Sequence, residues 1–159
     1  MAYNNDYRGG SRGGNWNNSR PQTQRYDRTP APLPEIQPEP VPEDYVDSAE
    51  SVIRALTQEN NRLTTSKIRN LLSLVSDIYN VEKLSTDKDL SAESVAKVNM
   101  MRVRTAYEAG RDNTVKAFVE KAKLLQYLKG IGTSRKALID FAHYMEALVA
   151  YHRFFGGKD

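Results

Sequence analysis

The sequence contains no cysteine, and its seven prolines are confined to the stretch from Pro21 to Pro42. Without cysteine the chain can form no disulfide, no thiolate nucleophile and no cysteine-ligated zinc site. No apolar run approaches the roughly 18 residues of a membrane-spanning helix. The first residues also lack the charged-then-apolar order of a secretory signal. This composition is typical of a cytosolic protein and predicts no membrane partner.

The proline stretch divides the sequence into two parts. The part before it contains two Arg-Gly-Gly triplets, at residues 8–10 and 12–14, with tyrosines and a tryptophan between polar residues. Such a segment buries too little apolar area to offset the entropy lost on ordering. We therefore expect a disordered tail rich in Arg-Gly-Gly and proline over residues 1–47, and one helical domain over residues 48–159.

The tail has two possible roles. Arginine and aromatic side chains can stack on unpaired bases, which favours an auxiliary contact with RNA. A solubilising leader is the alternative. Residues 30–42, where proline alternates with leucine, isoleucine, valine and glutamate, indicate an extended acidic spacer.

Charge is unevenly distributed along the chain. Residues 1–34 carry five arginines and two aspartates, and residues 35–47 carry five acids and no base. Residues 48–159 carry eighteen bases and thirteen acids. A surplus of this size does not by itself demand a nucleic-acid partner, so the placement of the basic residues on helix faces decides the question.

Apolar residues recur at spacings of three and four after residue 48, without a sustained period of two. The pattern predicts an all-α fold, a compact bundle of about five helices. Gly110 is expected to end the third helix, and the fourth is expected to run to Gly130. Residues predicted to cap the five helices are Asp47 or Ser48, Thr64 or Thr65, Ser91, Asp112, and Thr133 or Ser134. The third helix shows a broad apolar surface that includes Met100, Val103 and Tyr107.

Groups suited to catalysis are scarce. His143 and His152 are nine residues apart and point to opposite sides of one helix, so they cannot share a metal. No P-loop, nucleophile elbow or zinc-protease motif is present. We expect no catalytic residue, no metal, no cofactor and no enzymatic activity. A metal-dependent nuclease built on His143 and Glu146 is a remote alternative.

Gly130-Ile131-Gly132 lies between two predicted helices. A glycine pair in this position resembles the helix-hairpin-helix turn that grips DNA phosphates, although Lys136 stands where a small residue is usual. A non-specific DNA binder of that type is one alternative function, and a plain helix–helix turn is the simpler interpretation.

Basic residues form rows at helical spacing. Lys97, Arg104 and Arg111 recur every seven residues and lie nearly in line on one helical face. Lys116 and Lys123 do the same on the next predicted helix. The first turn of the second helix holds Lys67 and Arg69, where free amides also favour phosphate. Such rows suit sequence-independent contacts with a phosphate backbone, and solvated faces with local ion pairs are the alternative.

Three segments resemble a known family: Thr64 to Leu72 (TTSKIRNLL), Tyr107 to Asp112 (YEAGRD) and Tyr144 to Asp159 (YMEALVAYHRFFGGKD). They are similar to the small subunit of type III-A CRISPR effector complexes, the Csm complexes. The similarity covers residues 48–159 in order, and its C-terminal segment is highly specific.

This resemblance implies an all-helical, non-catalytic subunit of a prokaryotic antiviral ribonucleoprotein in the cytoplasm. Several copies would stack head to tail beside the other Csm subunits, and they would hold target RNA and the guide–target duplex. The resemblance assigns RNA contact to Lys67, Arg69 and Arg111. Helix geometry adds Arg102, Arg104, Lys116 and Lys123 to the candidate RNA-binding residues. Arg102 is the weakest of these, because it points away from Arg104.

A pure protein-interaction scaffold, whose basic rows pair with acidic neighbours, is the main alternative function. The aromatic residues Tyr144, Tyr151 and Phe155 share one stripe of the last helix. They are expected in the core, and a subunit interface would also bury them.

Overall fold

A computed structural model describes residues 9–10, 13–14 and 30–159. Most of the Arg-Gly-Gly tail, and the disorder predicted for it, lies outside these residues. A compact unit spans Pro34–Asp159. Its six helices are α1 (Tyr45–Gln58), α2 (Thr65–Glu82), α3 (Ala92–Arg111), α4 (Asn113–Lys121), α5 (Leu124–Ile131) and α6 (Arg135–Phe154). Within the described residues there is no strand, only an isolated bridge between Asp89 and Ser134. The predicted all-α fold is confirmed.

The start of α1 differs from the prediction. Neither Asp47 nor Ser48 caps the helix, because α1 begins at Tyr45 and its N-cap is Asp44, whose side chain makes no capping hydrogen bond. Packing supplies the reason: the Tyr45 ring stacks on His143 of α6, with centroids 6.4 Å apart, and holds the additional turn. The domain boundary expected between residues 47 and 48 therefore falls inside a helix.

The other four predicted caps are confirmed. Each cap side chain accepts a hydrogen bond from an amide in the first turn of the helix that follows it. These residues are Thr64, Ser91, Asp112 and Ser134.

Two predicted helix boundaries were wrong. Gly110 does not end α3, which runs through it to Arg111. The single fourth helix is broken in two at Lys123, whose φ of 52° is left-handed. The hydroxyl of Tyr144 donates to the carbonyl of Ala122 at 3.1 Å, directly before the break. A buried side chain from α6 thus binds the carbonyl at which α4 ends, and a long helix becomes two short ones.

The core is organised around α6, which packs against α1, α2 and α5. The interior faces of α6 contribute Leu138, Phe141, Met145 and Leu148, all fully or nearly fully buried. Tyr144, predicted for the core, is 1% exposed. α3 packs against α2, α4 and α5.

A buried ion pair joins three helix ends. Arg135, at the start of α6, donates from Nε and Nη2 to Glu82 at the end of α2, at 3.1 and 2.7 Å. The hydroxyl of Ser91, which caps α3, donates to the same carboxylate at 3.0 Å. Hydrogen bonds from the hydroxyls of Ser94 and Ser91 and from Arg135 outweigh desolvation and lower the pKa of Glu82 to about 2.

The C-terminal residues fold back onto the start of α2. The amide of Thr65 donates to the carbonyl of Lys158 at 2.8 Å. His152 is buried, with Nε2 2.9 Å from the carbonyl of Leu63 and Nδ1 3.2 Å from the hydroxyl of Thr65. Gly157 lies so close to the imidazole that a β-carbon would overlap it. Burial lowers the pKa of His152, so the neutral ring is the form that the fold favours.

We predict that Glu82→Gln lowers the free energy of unfolding by about 3 kcal/mol, because it leaves the buried Arg135 charge without its counter-ion. Urea denaturation followed by circular dichroism measures the change. Asp140→Asn, which breaks the exposed pair with Lys136, is the matched control and should cost much less. Equal losses in the two variants would show that the buried pair does not hold the helix ends together.

The free energy of unfolding should also fall as the pH drops below about 6.5, the ordinary pKa of histidine. The lowered pKa of His152 means that the unfolded chain takes up a proton before the folded chain does, so stability is lost as the pH falls through that window. His152→Gln should remove this step, and His143→Gln should retain it. A step that persists in His152→Gln would assign it to another group.

Candidate nucleic-acid interface

A groove of about 490 Å³ between α2 and the junction of α3 with α4 brings together three of the seven predicted RNA-binding residues. Lys67 comes from the first turn of α2, and Arg104 and Arg111 come from α3. The acidic residues Glu108 and Asp112 also line it. The groove is therefore cationic but partly compensated.

Helix continuity places the two arginines together. Because α3 runs unbroken through Gly110, Arg104 and Arg111 are separated by two helical turns and lie on the same flank. Had Gly110 ended the helix, as predicted, Arg111 would have left this row. The seven-residue spacing therefore correctly predicted that Arg104 and Arg111 lie on one face, although the helix end predicted at Gly110 was wrong.

Lys67 is held by protein groups. Its ammonium lies 2.5 Å from the carboxylate of Asp112 and donates to the hydroxyl of Thr114 at 3.3 Å. Asp112 is also the N-cap of α4 and accepts from the amide and the hydroxyl of Thr114. Hydrogen bonds from Lys67 and Thr114 hold the pKa of Asp112 well below its usual range. Lys67 thus links α2 to α4 and forms a wall of the groove.

The first turn of α2 offers fewer free amides than the sequence suggested. The amide of Thr65 donates to Lys158, and that of Lys67 donates to its own cap, Thr64. These donors are already used, so a phosphate site at this helix end loses two of the groups that were expected to form it.

Arg104 is the cation in the groove with the least compensation. It is exposed, and among the described residues it makes no ion pair or side-chain hydrogen bond. Arg111 faces Glu108 at 3.7 Å and lies 5.8 Å from the centre of the Tyr107 ring. Both side chains reach solvent, and a guanidinium can bind a phosphate with two parallel hydrogen bonds.

Two more candidates, Arg69 and Lys116, lie outside the groove. Arg69 faces the side chain of Asp159 at 3.9 Å, beside the C-terminus. Lys116 lies 4.0 Å from Glu120, as the ion-pair alternative anticipated.

The remaining two candidates, Lys123 and Arg102, lie elsewhere. The row predicted for Lys116 and Lys123 was wrong, because α4 ends at Lys121 and Lys123 itself has the left-handed conformation that separates α4 from α5. Lys123 pairs instead with Glu39 at 2.9 Å. Arg102 lines a different cavity, with Lys129 of α5.

Backbone groups of the protein itself contact the segment around the Gly130–Gly132 turn. The amide of Arg135 donates to Lys88 at 3.1 Å, and that of Ser134 donates to Ile131 at 2.9 Å. Gly130 faces the backbone of Glu39, and a β-carbon there would overlap the Glu39 carbonyl. These contacts favour the simple helix–helix turn over a phosphate clamp.

The two histidines have structural partners. His143 lies between the rings of Tyr45 and Tyr79, and His152 is buried against α2. In the part of the chain that the structure describes, no group of three histidine, aspartate or glutamate side chains could hold a metal ion. Within residues 9–10, 13–14 and 30–159, no helix combines the length and apolarity needed to cross a membrane.

The broad apolar surface predicted on α3 is only half buried. Val98 and Met101 face the core, whereas Met100, Val103 and Tyr107 are 60–65% exposed along the outer face. Periodicity alone gave no sign of this division, because apolar residues continue around most of the helix. The exposed row runs beside Arg104 and Arg111.

Comparisons with known proteins identify relatives of this chain. The family model Csm2 Type III-A matches residues 39–158. The CRISPR system Cms protein Csm2 of Mycobacterium tuberculosis (strain ATCC 25618 / H37Rv) is 44% identical over 121 residues, which are 75% of this chain and 97% of that protein. The protein of the same description from Streptococcus thermophilus is 46% identical over 120 residues, 74% of this chain and 95% of its own length.

A third relative, the CRISPR system Cms protein Csm2 of Enterococcus italicus, is 40% identical over 98 residues, 60% of this chain and 69% of that protein. The family match begins at residue 39, before α1, so it includes residues 39–47 as well as the helical domain. The resemblance of the sequence to the small subunits of type III-A CRISPR effector complexes is confirmed, and the chain belongs to the Csm2 type III-A family.

Proposed function

We propose that this protein is a non-catalytic small subunit of a bacterial, cytoplasmic type III-A CRISPR ribonucleoprotein that holds target RNA and the guide–target duplex through phosphate contacts. The observation that carries the proposal is the groove of a Csm2-family protein in which Arg104 and Arg111 face solvent from one flank of an unbroken helix. The remaining subunits of the complex would perform the cleavage.

The two arginines suit a ligand that is read by its backbone. Seven residues of helix separate them by about 10.5 Å along the axis, so each can bind a different phosphate. Phosphate contacts position a nucleic acid without reading its bases. A subunit that serves many different guide sequences must bind RNA without reading its bases.

Lys67 supports the groove rather than supplying its main charge. Its ammonium is bound to Asp112 and Thr114, so a phosphate would have to compete with a carboxylate for it. In this role Lys67 keeps the start of α4 against α2, and it thereby fixes the wall opposite Arg104.

The exposed apolar row of α3 favours a second role, as a protein-interaction scaffold. Met100, Val103 and Tyr107 would be covered by another Csm subunit or by a further copy of this chain stacked head to tail. Aromatic residues and methionine are enriched at protein interfaces, which supports contact at this face. Crosslinking of the assembled complex separates the roles, since a pure scaffold would give protein adducts of α3 and no RNA adducts of the groove.

We predict that Arg104→Gln combined with Arg111→Gln weakens RNA retention by the assembled complex and lowers its salt dependence. Loss of two phosphate contacts should reduce the slope of log affinity against log salt by about 1.4 to 1.8. Filter binding over a salt series measures both quantities. Arg54→Gln combined with Lys136→Gln removes the same charge from exposed ion pairs of α1 and α6. If both double variants weaken binding equally, the groove has no special role.

We further predict that Lys67→Gln lowers the thermal unfolding midpoint more than Arg69→Gln does. Lys67 bonds to two residues of the α4 start, whereas Arg69 faces Asp159 only at 3.9 Å. Combining Lys67→Gln with Asp112→Asn should add little to Asp112→Asn alone, because the two residues act as one unit. Fully additive losses would contradict the linkage.

A further inference from the structure

An acidic segment, residues 35–44, runs along α5 on the far side of α3 from the groove; we call it the strap. The strap contains Glu35, Glu39, Glu43 and Asp44 and no basic residue. The amide of Glu39 donates to the carbonyl of Gln126 at 3.1 Å. Its carboxylate pairs with Lys123 at 2.9 Å. One carboxylate and one backbone amide, both of Glu39, therefore fasten the strap to α5 and to Lys123, the residue directly before it.

A second lysine, which lies within α5, also contacts the strap. Lys129 donates to the carbonyl of Ile36 at 2.8 Å and lies 3.9 Å from the carboxylate of Glu35. Arg102 of α3 lines the adjacent cavity with Lys129 and Ile36. Three cations, Arg102, Lys123 and Lys129, thus lie at the edge that the strap covers.

The helix surface beneath the strap is shaped to receive it. Gly130 faces the backbone of Glu39, and any β-carbon at this position would overlap the Glu39 carbonyl. Gly130 is a helical residue with ordinary backbone angles, so conformation does not demand glycine here. Glycine is required because the backbone of the strap approaches so closely.

The two ends of the strap are held with different strength. Val41, near its C-terminal end, and Tyr45, directly after it, pack against the core. Toward the N-terminal end, the Glu35 side chain is 77% exposed and Ile36 is 40% exposed. Exposed ion pairs between flexible side chains contribute little to stability and weaken with salt. The residues from Glu35 to Glu39, which these exposed ion pairs hold, can therefore be displaced while Val41 stays anchored to the core.

We propose that Arg102, Lys123 and Lys129 form a second phosphate-binding surface for a nucleic-acid strand, and that the strap is its displaceable cover. The carboxylates of Glu35 and Glu39 occupy the places that backbone phosphates would take. Arg102 lies two residues from Arg104, about 200° around α3, so this surface is separate from the groove.

RNA is the occupant that the chain itself favours. Residues 1–34, which lead directly into the strap, carry five arginines and two aspartates among Arg-Gly-Gly triplets and aromatic residues. Composition of this kind binds single strands through charge and stacking. A strand bound there would be at high local concentration beside the strap and could exchange with its carboxylates. The inference rests on the proposed function in taking RNA as the ligand, but it does not depend on the groove.

Gly130→Ala tests the proposal without changing any charge, because the added methyl group displaces the strap. Binding of a labelled oligouridylate to the full chain is measured by fluorescence anisotropy over a salt series. We expect affinity several-fold higher than that of the parent chain, and a salt slope steeper by about 1.4 if two further phosphates are contacted. Gly110→Ala is the matched control, since this helical glycine has no atom within 4 Å of a β-carbon, and it should leave RNA affinity unchanged.

A charge variant provides an independent test if Gly130→Ala disturbs folding. Glu35→Gln combined with Glu39→Gln frees Lys129 and Lys123 and should raise RNA affinity. Glu50→Gln combined with Glu59→Gln frees Arg54 and Lys121 with the same change in net charge, and it should raise affinity less. Adding Lys123→Gln and Lys129→Gln to the strap variant should abolish the gain.

Three results would overturn the proposal. Unchanged RNA affinity in both strap variants would make the strap a simple brace. Equal gains in RNA affinity in the strap variant and in the control charge variant would show that the gain comes from net charge alone. Saturation of the exposed lysines by polyglutamate, without RNA binding, would assign the surface to an acidic protein segment. The two proposals can fail separately. If only the groove proposal fails, Arg104→Gln combined with Arg111→Gln leaves RNA binding unchanged, but the strap variants still raise RNA affinity.

Discussion

The Asp112 carboxylate is the group on which the candidate interface depends. It caps α4, binds the ammonium of Lys67 and follows directly after Arg111, the last residue of α3. These contacts fix the angle between three helices at one end of the groove. Because hydrogen bonds from Lys67 and Thr114 keep its pKa well below the usual range, the carboxylate stays charged at any physiological pH. The contact between Asp112 and Lys67 therefore persists near neutral pH, although buried His152 makes the fold as a whole sensitive to mild acid.

Local compensation decides which basic residues can act on a ligand. Most of the candidates have an acidic neighbour: Lys67, Arg69, Arg111, Lys116 and Lys123 each lie within ion-pair distance of one. Each pair reduces the counter-ions that a bound phosphate would release, so the salt dependence of RNA binding should be smaller than a count of lysines and arginines suggests. Free cations such as Arg104 then contribute a disproportionate share. Under the proposed function, in which several copies would contact one RNA, weak contacts of this kind would add along the strand, and no single copy would bind it too tightly to release it.

The parts of the fold that could be predicted are those fixed by local chemistry. Caps such as Thr64 and Ser91 were evident because a hydroxyl beside an amphipathic run has one favourable role. The break at Lys123 was not, because it depends on a hydroxyl from α6, twenty-two residues away, that binds the Ala122 carbonyl. The candidate site shows the same division. The spacing of Arg104 and Arg111 is a local property, whereas the capture of Lys67 by Asp112 requires α2 and α4 to meet.

Gly130 shows how a correct signal can receive the wrong explanation. Its position between two helices resembled a phosphate clamp, yet the glycine is required because the Glu39 backbone lies against it. The distribution of charge along the chain is a second example of a sequence pattern whose cause appears only in the structure. The basic tail, the acidic strap and the basic domain look like independent blocks in the sequence, but the acidic block folds back onto lysines of α5. A family match that begins at residue 39 includes the half of the strap that contains Glu39 and excludes Glu35. Glu39 and the anchored end of the strap thus lie within the family match, whereas Glu35 lies before it, in the part of the chain that carries the Arg-Gly-Gly sequence.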